Sequence, residues 1–340
     1  MRDGAGITSP DLLYAFFDLQ VEHISYDAAW FVASADRERR RQGLRGVHFV
    51  IVPGQVNGLR EERGSYEAAV DPDFRLWRLH NIVVGIFACL PSGAGYTMLP
   101  SREAAGALRT GARAKIYPAS YEPALPVGHH PSELLEAGRA GEQGLAVLQA
   151  PVQAQRFVER WLAQRLGGRR LVTVTLRDYA FMTPRNSNLT AWTSFARRLD
   201  HQRYLPVFIL DTERTLDALP AAIEDQQIFR EASWSVPLRL ALYERAYLNL
   251  GVNNGPLLMA ALAPRPRILV FKMLTPSVPQ TTAEFMRRLG FEIGAQWPFC
   301  GPFQHLVWED DDLDVIEREF YAIQARIESS APSTRVGPVG

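Results

Sequence analysis

The chain has 340 residues, of which 47% are hydrophobic and 22% are charged, and its formal net charge at pH 7 is zero. This composition is typical of globular proteins and excludes disordered and fibrous classes. At about 100 to 200 residues per domain the length predicts two domains, and the balanced charge gives no reason to expect nucleic acid as a partner.

The sequence contains no recognisable membrane or targeting signal. No apolar run approaches the roughly 18 residues of a membrane span, and the N-terminal segment lacks the basic and apolar stretches of a signal peptide. The two cysteines, Cys89 and Cys300, stand at no metal-binding or redox spacing, so we expect both to be reduced. These observations predict a cytoplasmic protein, and a peripheral association with membranes stays open.

The first half of the chain alternates between strand and helix patterns. Short apolar runs rich in aromatic and β-branched residues predict buried strands at residues 12–19 and 46–54. The apolar spacing of residues 28–35, followed by arginines and Gly43, predicts a helix with a glycine stop. Residues 76–90 are almost wholly apolar and predict a central helix. This order favours an α/β layer with parallel strands.

The pattern decays between residues 119 and 151, where prolines and glycines are frequent. We interpret this stretch as a loop that leads to a domain boundary. The boundary divides the chain into an N-terminal domain of residues 1–150 and a C-terminal domain of residues 151–328. The final segment, residues 329–340, is predicted to be disordered.

The second half of the chain alternates more regularly. In chain order it predicts a helix at 154–168, a strand at 170–178, a helix at 186–200, a strand at 205–211, a helix at 235–246, a strand at 246–252, a helix at 255–263, a strand at 267–273, a helix at 281–290 and a final helix at 313–327. Thr281 and Glu284 have the spacing of a capping box. A return of the last helix to the first domain is an open alternative.

Polar residues follow three of the C-terminal strands. In parallel α/β sheets, ligands bind beyond the carboxyl ends of the strands, where loops meet helix N-termini. The candidate donor-binding residues selected by this rule are Arg177, Arg185, Asn186 and Asn188 after the first strand, Asp211 and Glu213 after the second, and Asn253, Asn254 and Gly255 after the fourth.

The stretch 253–256 has the composition of a helix start with free backbone amides. Gly255 permits a sharp turn or a close backbone approach, and Pro256 suits the first helical turn, so the amides and the helix dipole form an anion site. On this stretch alone, a capped helix with nothing bound is the better explanation, because such turns are common. Arg177 and Arg185 at the same sheet edge favour a diphosphate ligand, since guanidinium groups neutralise phosphate charge.

The segment "YLNLGVNNGPLLMAALAPRPRILVF" resembles the nucleotide-sugar-binding segment of GT-B glycosyltransferases of the heptosyltransferase kind. "VTVTLRDY" with the following helix and strand is similar to the opening of their C-terminal domain and to fucosyltransferase-like enzymes. The chain departs from these patterns at Asn254, where heptosyltransferases are usually acidic, and at Arg177, where fucosyltransferases have a histidine before paired arginines.

The resemblance implies an α/β protein with two Rossmann-like domains of GT-B type. It also implies a nucleotide-diphosphate sugar bound by the C-terminal domain and an acceptor on a glycan, lipid-linked saccharide or protein bound by the N-terminal domain. We expect no metal and no further cofactor, because no Asp-x-Asp motif ends an N-terminal strand. The similarly spaced Asp71 and Asp73 lie before a predicted helix and are interpreted as a cap.

An inverting transferase needs a general base for the acceptor hydroxyl. Asp18, at the end of the first strand, and Asp27, at the start of the next helix, are the candidate catalytic residues, although strand-end solvation and helix capping also explain them. His23 lies between them as a further candidate. The pair His129 and His130 has no partner at metal spacing and receives no role.

A polar loop and a mixed aromatic helix supply candidate acceptor-binding residues, namely Asn57, Arg60 and Trp77. An interdomain contact is an equally good explanation of these residues. At the level of function, two alternatives to the transferase stay open: a nucleotide-sugar epimerase on the same scaffold and a non-catalytic binding or assembly protein.

Overall fold

The strands form two sheets, and every strand pairing in them is parallel. The computed structural model describes residues 8–62, 65–112, 115–214 and 217–330. The N-terminal sheet has the order β3-β2-β1-β4 and the C-terminal sheet the order β10-β9-β8-β5-β6-β7. The strands are β1 (Leu12–Asp18), β2 (Gly46–Val52), β3 (Gly93–Met98), β4 (Ile116–Tyr117), β5 (Arg170–Thr175), β6 (Tyr204–Ile209), β7 (Gln227–Ile228), β8 (Leu248–Val252), β9 (Ile268–Phe271) and β10 (Gln304–Leu306).

Helices flank both sheets. They are α1 (Ala28–Arg41), α2 (Ser65–Ala69), α3 (Pro72–Arg78), α4 (Val84–Phe87), α5 (Arg102–Ala112), α6 (Ser132–Arg139), α7 (Val152–Ala163), α8 (Leu189–Arg198), α9 (Glu231–Trp234), α10 (Val236–Arg245), α11 (Gly255–Ala261), α12 (Ala283–Arg288) and α13 (Leu313–Ser330). A π-helical turn, Leu79–Val83, joins α3 to α4 within the predicted central helix. Within the described ranges, no helix has the length and apolar character needed to cross a bilayer.

The elements predicted for the second half are confirmed, with one corrected cap. Asn188, Ser235 and Asn254 cap α8, α10 and α11 through their side chains. The capping-box prediction for Thr281 is wrong, because Thr282 accepts the bond from the Phe285 amide instead. The Thr281 hydroxyl is buried and donates to backbone carbonyls.

Within the described residues, the first half contains five elements that the sequence pattern did not predict: β3, β4, α2, α5 and α6. Strand β3 is exposed along its whole length, so it lacks the apolar signature of a buried strand. Helix α6 lies inside the stretch predicted as a loop, and it buries Leu134 and Leu135. At the other end of the chain, α13 includes Ser329 and Ser330, and the remainder of the predicted tail lies outside the described residues.

The two halves share one apolar core. The Trp30 ring of α1 lies 5.8 Å from the Trp297 ring and 6.1 Å from the Phe291 ring, centroid to centroid, both in the C-terminal half. Helix α13 stays with the C-terminal sheet, since Phe320 packs on Phe195 of α8 at 5.2 Å, so it does not return to the first domain. The shared core sets the loop after β1 opposite the C-terminal sheet edge. The domain boundary near residue 150 stays a prediction.

Candidate active site

The three polar clusters predicted from the sequence meet at one edge of the C-terminal sheet. The side chain of Arg185, after β5, donates to the Asn253 carbonyl oxygen, after β8, at 3.1 Å. The Asp178 amide, also after β5, donates to the Asp211 carboxylate, after β6, at 3.3 Å. Parallel pairing of these strands places all three loops at their carboxyl ends.

Arg177 builds the loop that follows β5. Its side chain is buried, and its guanidinium donates to the Phe181 carbonyl oxygen at 2.8 Å, to the Met182 carbonyl oxygen at 3.2 Å and to Asn186 Oδ1. Burial lowers the pKa of Arg177. Asn186 closes the same loop by donating to the Tyr179 carbonyl oxygen at 3.1 Å. The predicted ligand contacts of Arg177 and Asn186 therefore compete with loop-forming bonds.

Arg185 lies in the same loop but keeps its charge unneutralised. Burial lowers its pKa to about 10, with the like charge of Arg177 as the second cause. Among the residues that the structure describes, no carboxylate lies within 4 Å of its guanidinium. A half-buried cation that bonds only to neutral groups is costly. It therefore provides a positive charge at this edge that an anion can contact.

The start of α11 is shaped by the N-terminal half. Asn254 accepts the Leu257 amide at 3.1 Å, and Asn253 donates to the Met273 carbonyl oxygen at 3.1 Å, so both predicted ligand-binding asparagines have structural bonds. The reason for a glycine at position 255 is Tyr26, since a Cβ at Gly255 would overlap Tyr26 Cβ and lie 2.9 Å from its Cγ. Gly255 therefore admits an aromatic ring rather than leaving an open cradle of amides.

Asn188 and Asp211 also have structural partners. Asn188 accepts the Ala191 amide at 3.2 Å as the cap of α8. Asp211 accepts the Glu213 amide at 3.4 Å, and burial raises the pKa of its carboxyl. Burial, followed by the charge of Asp211, raises the pKa of Glu213 to about 6. The two acids thus lie close together at the end of β6.

A cavity opens between the loops after β5 and β6. Its volume is about 300 Å³, which is at the lower end of the range for small-molecule sites. Leu176, Leu189 and Leu219 give it apolar walls, and Arg177 and Asp211 lie at its polar side. Asp178, Arg214 and Asp217 also line it, so the cavity combines apolar walls with several charged groups.

Across from this edge, Asp18 occupies a different environment from the one that the sequence predicts. It is buried, and its two carboxylate oxygens accept from Arg102 at 2.8 and 2.9 Å and from the Tyr121 hydroxyl at 2.7 Å. Arg102 also donates to the carbonyl oxygens of Pro53 and Pro123, so it ties three loops together. These contacts give Asp18 a structural role, and they leave no oxygen open to an acceptor hydroxyl.

Asp27 has the opposite character. It precedes α1, but its side chain makes no capping bond to that helix, so the alternative explanation as a cap does not hold. The carboxylate is exposed and accepts from the Ser25 hydroxyl at 2.9 Å. Its charge raises the pKa of Arg185, behind the larger lowering by burial and Arg177. Asp27 thus lies within electrostatic range of the C-terminal edge.

The predicted acceptor residues occupy the same side. Asn57 is exposed in a left-handed conformation with φ of 51°. Arg60 contacts His23 Nε2 at 2.9 Å and donates to the Val21 carbonyl oxygen at 3.3 Å. Trp77 stacks on Phe74 at 5.5 Å. Arg60 and His23 are thus brought together near Asp27, whereas Trp77 is held by its own helix.

Sequence reasoning missed two groups that hold the loop after β1. His129, given no role, is buried and pairs with Glu22, with its Nδ1 at 2.5 Å from Glu22 Oε2. Burial is the largest single influence and lowers the pKa of His129, but the charge and hydrogen bond of Glu22, together with Asp27, raise that pKa overall. The second residue that sequence reasoning missed is Tyr26, which packs against Gly255. Neither residue stands in a motif, and only the fold brings their partners near. Asp71 caps α3 through the Phe74 amide at 2.7 Å, as predicted.

Similarity to solved structures shows the fold class. The structure of E. coli ADP-heptose LPS heptosyltransferase II is similar over 94% of this chain and 99% of that one, with a TM-score of 0.50 and 10% identity. A glycosyl transferase family 9 protein from Veillonella parvula is similar over 93% and 97%, with a TM-score of 0.49 and 10% identity. No protein-family model and no curated protein matches the sequence.

The chain therefore has the GT-B fold, with two parallel α/β units, and it resembles GT-B glycosyltransferases. The predicted fold class is confirmed. At this identity the similarity concerns the fold alone, so activity must be argued from the site.

Proposed function

We propose that this protein is a glycosyltransferase that moves a sugar from a nucleotide-diphosphate donor to a hydroxyl group of a glycan, lipid-linked saccharide or protein. The observation that carries the proposal is Arg185, a half-buried cation without a carboxylate partner among the described residues, opposite the exposed carboxylate of Asp27. An anion at Arg185 and a base at Asp27 are the two charges that such a transfer needs.

The cavity after β5 and β6 is the proposed seat of the nucleoside. Its leucine walls suit the faces of a base, and Asp211 at its polar side suits ribose hydroxyls. The diphosphate would then extend toward Arg185 and the loop that Arg177 organises. Arg185 would stabilise the negative charge that grows on the leaving diphosphate as the glycosidic bond breaks.

Asp27 is the proposed general base, and Asp18 is withdrawn from that role because its oxygens are already occupied. Asp27 would take the proton of the acceptor hydroxyl as that oxygen attacks the sugar. Arg60 and Asn57 lie on the acceptor side and would bind its hydroxyl groups. The proposed reaction uses no metal. In the described part of the chain, no group of three or more His, Cys, Asp or Glu residues has the arrangement of a metal site, and the metal independence stays a prediction.

The donor site is tested by thermal shift and calorimetry with UDP, GDP, ADP and their sugar derivatives. We expect one nucleotide to bind, and Arg185→Gln to weaken it about 10- to 100-fold, since hydrogen bonds to charged groups contribute about 1.5–3 kcal/mol. Arg198→Gln, at an exposed arginine paired with Glu317, is the matched control and should bind normally. Binding of no nucleotide, or equal affinity in both variants, contradicts the donor site.

Asp27→Asn tests the chemistry. We expect it to retain nucleotide affinity and to lose about 100-fold or more in kcat, because a positioned base contributes about 10²–10⁴. Slow donor hydrolysis without acceptor should fall in the same variant. Binding that is never followed by hydrolysis or transfer would favour the non-catalytic alternative.

A nucleotide-sugar epimerase is the second candidate, and the Asp211–Glu213 pair favours it. Two neighbouring acids near the proposed nucleoside cavity, one with its pKa raised to about 6, have the properties of an acid/base pair. An epimerase would convert its nucleotide sugar without any acceptor and would depend on Glu213 rather than Asp27. Product analysis of the free nucleotide sugar separates the two reactions.

A further inference from the structure

A second cavity lies at the opposite end of the C-terminal sheet from the candidate active site. Its volume is about 440 Å³, and it lies where β5 and β6 begin rather than where they end, next to Arg169 and Leu205. A six-residue strand at about 3.3 Å per residue separates the two cavities by roughly 20 Å. A small ligand cannot occupy both, so the second cavity requires its own explanation.

The charges around this cavity do not cancel. Arg165, Arg169 and Arg197 supply three positive charges and Asp225 one negative charge, which leaves a net charge of +2, and His201 adds an exposed imidazole. Asp225 pairs with Arg197 at 3.2 Å. For Arg165 and Arg169, the described residues provide no carboxylate within 4 Å. The excess positive charge therefore belongs to these two arginines.

Both arginines are held in place by neutral groups. Arg165 donates to the Trp161 carbonyl oxygen at 3.1 Å, and its guanidinium carbon lies 4.5 Å from the Trp161 ring centroid. Arg169 donates to the carbonyl oxygens of Leu166 at 3.0 Å and Arg165 at 2.6 Å. These bonds fix the side chains before any ligand arrives, which lowers the entropy lost on binding.

Capping of helix α7 explains part of this arrangement but not its charge. The carboxyl end of a helix carries about half a negative charge, and two guanidinium groups carry +2. The remaining positive charge faces a cavity whose apolar lining includes Leu205 and Pro206. A cap alone would need neither a second arginine nor a cavity.

We propose that this cavity is a second ligand site, which binds the phosphoryl group of a small anion such as a phosphate monoester or a diphosphate. Arg165 and Arg169 would bind the phosphoryl oxygens, since the guanidinium fork matches their geometry. Gln226 and Gln227 at the start of β7 provide amide groups for the rest of the ligand. The site is separate from the proposed donor site and does not depend on it.

Equilibrium dialysis with labelled inorganic pyrophosphate tests the site. The proposed donor site would bind the same probe, so the measurement uses Arg185→Gln as the parent and compares it with the parent carrying Arg165→Gln and Arg169→Gln. We expect the parent to bind pyrophosphate and the added changes to weaken binding about tenfold or more. No binding by the parent, or equal binding by both proteins, overturns the proposal.

Two further variants control for charge and folding. Arg198→Gln with Arg318→Gln removes two exposed arginines elsewhere and should leave the affinity within about twofold, since exposed charges far from a site are screened. Asp225→Asn should strengthen binding, because it frees Arg197 and removes the one acid found among the described lining residues. Weaker binding by Asp225→Asn, or a loss in the control equal to that of the test variant, contradicts the site.

Sedimentation with vesicles identifies the source of the phosphoryl group. Binding to phosphatidylglycerol vesicles but not to phosphatidylcholine vesicles, lost with Arg165→Gln and Arg169→Gln, assigns a lipid headgroup. Pyrophosphate binding without sedimentation assigns a free phosphorylated molecule. If neither probe depends on the two arginines, the proposal fails.

Discussion

The carboxyl ends of the two sheets hold their charges in different ways. At the N-terminal sheet, charged groups are paired with each other, as Asp18 is with Arg102 and Glu22 with His129. At the C-terminal sheet, Arg185 bonds to a backbone carbonyl and a thioether. A paired charge has little field left for a ligand, whereas a cation held by neutral groups keeps most of its own. Charged groups that pair with an opposite charge therefore belong to the scaffold, whereas those that bond to neutral groups are candidates for a functional role.

Asp27 is the exception at the N-terminal edge. It lies nine residues after Asp18 in the same loop region, yet it is exposed and bonds only to a hydroxyl among its described side-chain contacts. The two carboxylates should consequently respond to substitution in opposite ways. Asp18 should control stability and Asp27 should control activity.

Replacing Asp18 should have the largest effect on folding. Asp18→Asn leaves the Arg102 guanidinium, which is 18% exposed, without its anionic partner, and breaking a buried pair costs about 3–5 kcal/mol. Urea denaturation followed by circular dichroism measures the change in the free energy of unfolding. Asp27→Asn is the matched control and should stay within about 0.5 kcal/mol of the wild type. Similar losses in both variants would break the distinction between the two acids.

A methyl group at Gly255 should have the next largest effect. Gly255→Ala places a Cβ against Tyr26, where Cγ is 2.9 Å away, and such overpacking costs about 1–3 kcal/mol. Gly106→Ala is the control in another helix, where a Cβ meets nothing within 4 Å, so it should stabilise by about 0.5–1 kcal/mol. Opposite signs in thermal unfolding would support a close Tyr26–Gly255 contact, and equal signs would contradict it.

Gly255 also shows what the sequence could not provide. The strand-loop-helix order around residues 246–263 was predictable because its apolar periods and caps are local, and Asn254 caps the helix as expected. The reason for the glycine was not predictable, because Tyr26 lies more than two hundred positions earlier in the chain. A glycine that permits an aromatic contact and one that cradles a phosphate have the same local pattern.

The candidate site also depends on contacts that the sequence pattern does not reveal. Strand order and parallel pairing predicted which loops would meet, since carboxyl ends of parallel strands share an edge. They did not predict which guanidinium groups would bond within their own loop. Arg177 and Arg185 stand in one loop and look alike in the sequence, but only Arg177 points into the backbone carbonyls of that loop. Contacts between residues far apart in the sequence, such as Asp18 and Arg102, determine which charged groups are paired, and the sequence pattern does not reveal them.

The smallest expected effect is a dependence of stability on pH that reports how the two halves face each other. Glu213 has its pKa raised to about 6, from 4.5, so the folded state binds more protons than the unfolded state between these values. Stability should therefore fall as pH rises from about 4.5 to about 6. Because Glu213 is only half buried, solvent screening should hold the change below about 1 kcal/mol. Denaturation at several pH values should show a smaller change in Glu213→Gln.

Arg78, from the N-terminal half, turns this measurement into a test of the interface. Its charge lowers the pKa of Glu213, behind the larger raising by burial and by Asp211. Arg78→Gln should therefore move the midpoint of the Glu213 titration to higher pH, which carbon-13 NMR of the labelled carboxyl can follow. Arg214→Gln removes a positive charge beside Asp178 in the C-terminal half. It shows how the Glu213 titration responds to a charge from the same half of the molecule. A midpoint that ignores Arg78 would mean that the positive charge of the N-terminal half does not face the acids after β6, and the proposed cleft would lose one of its walls.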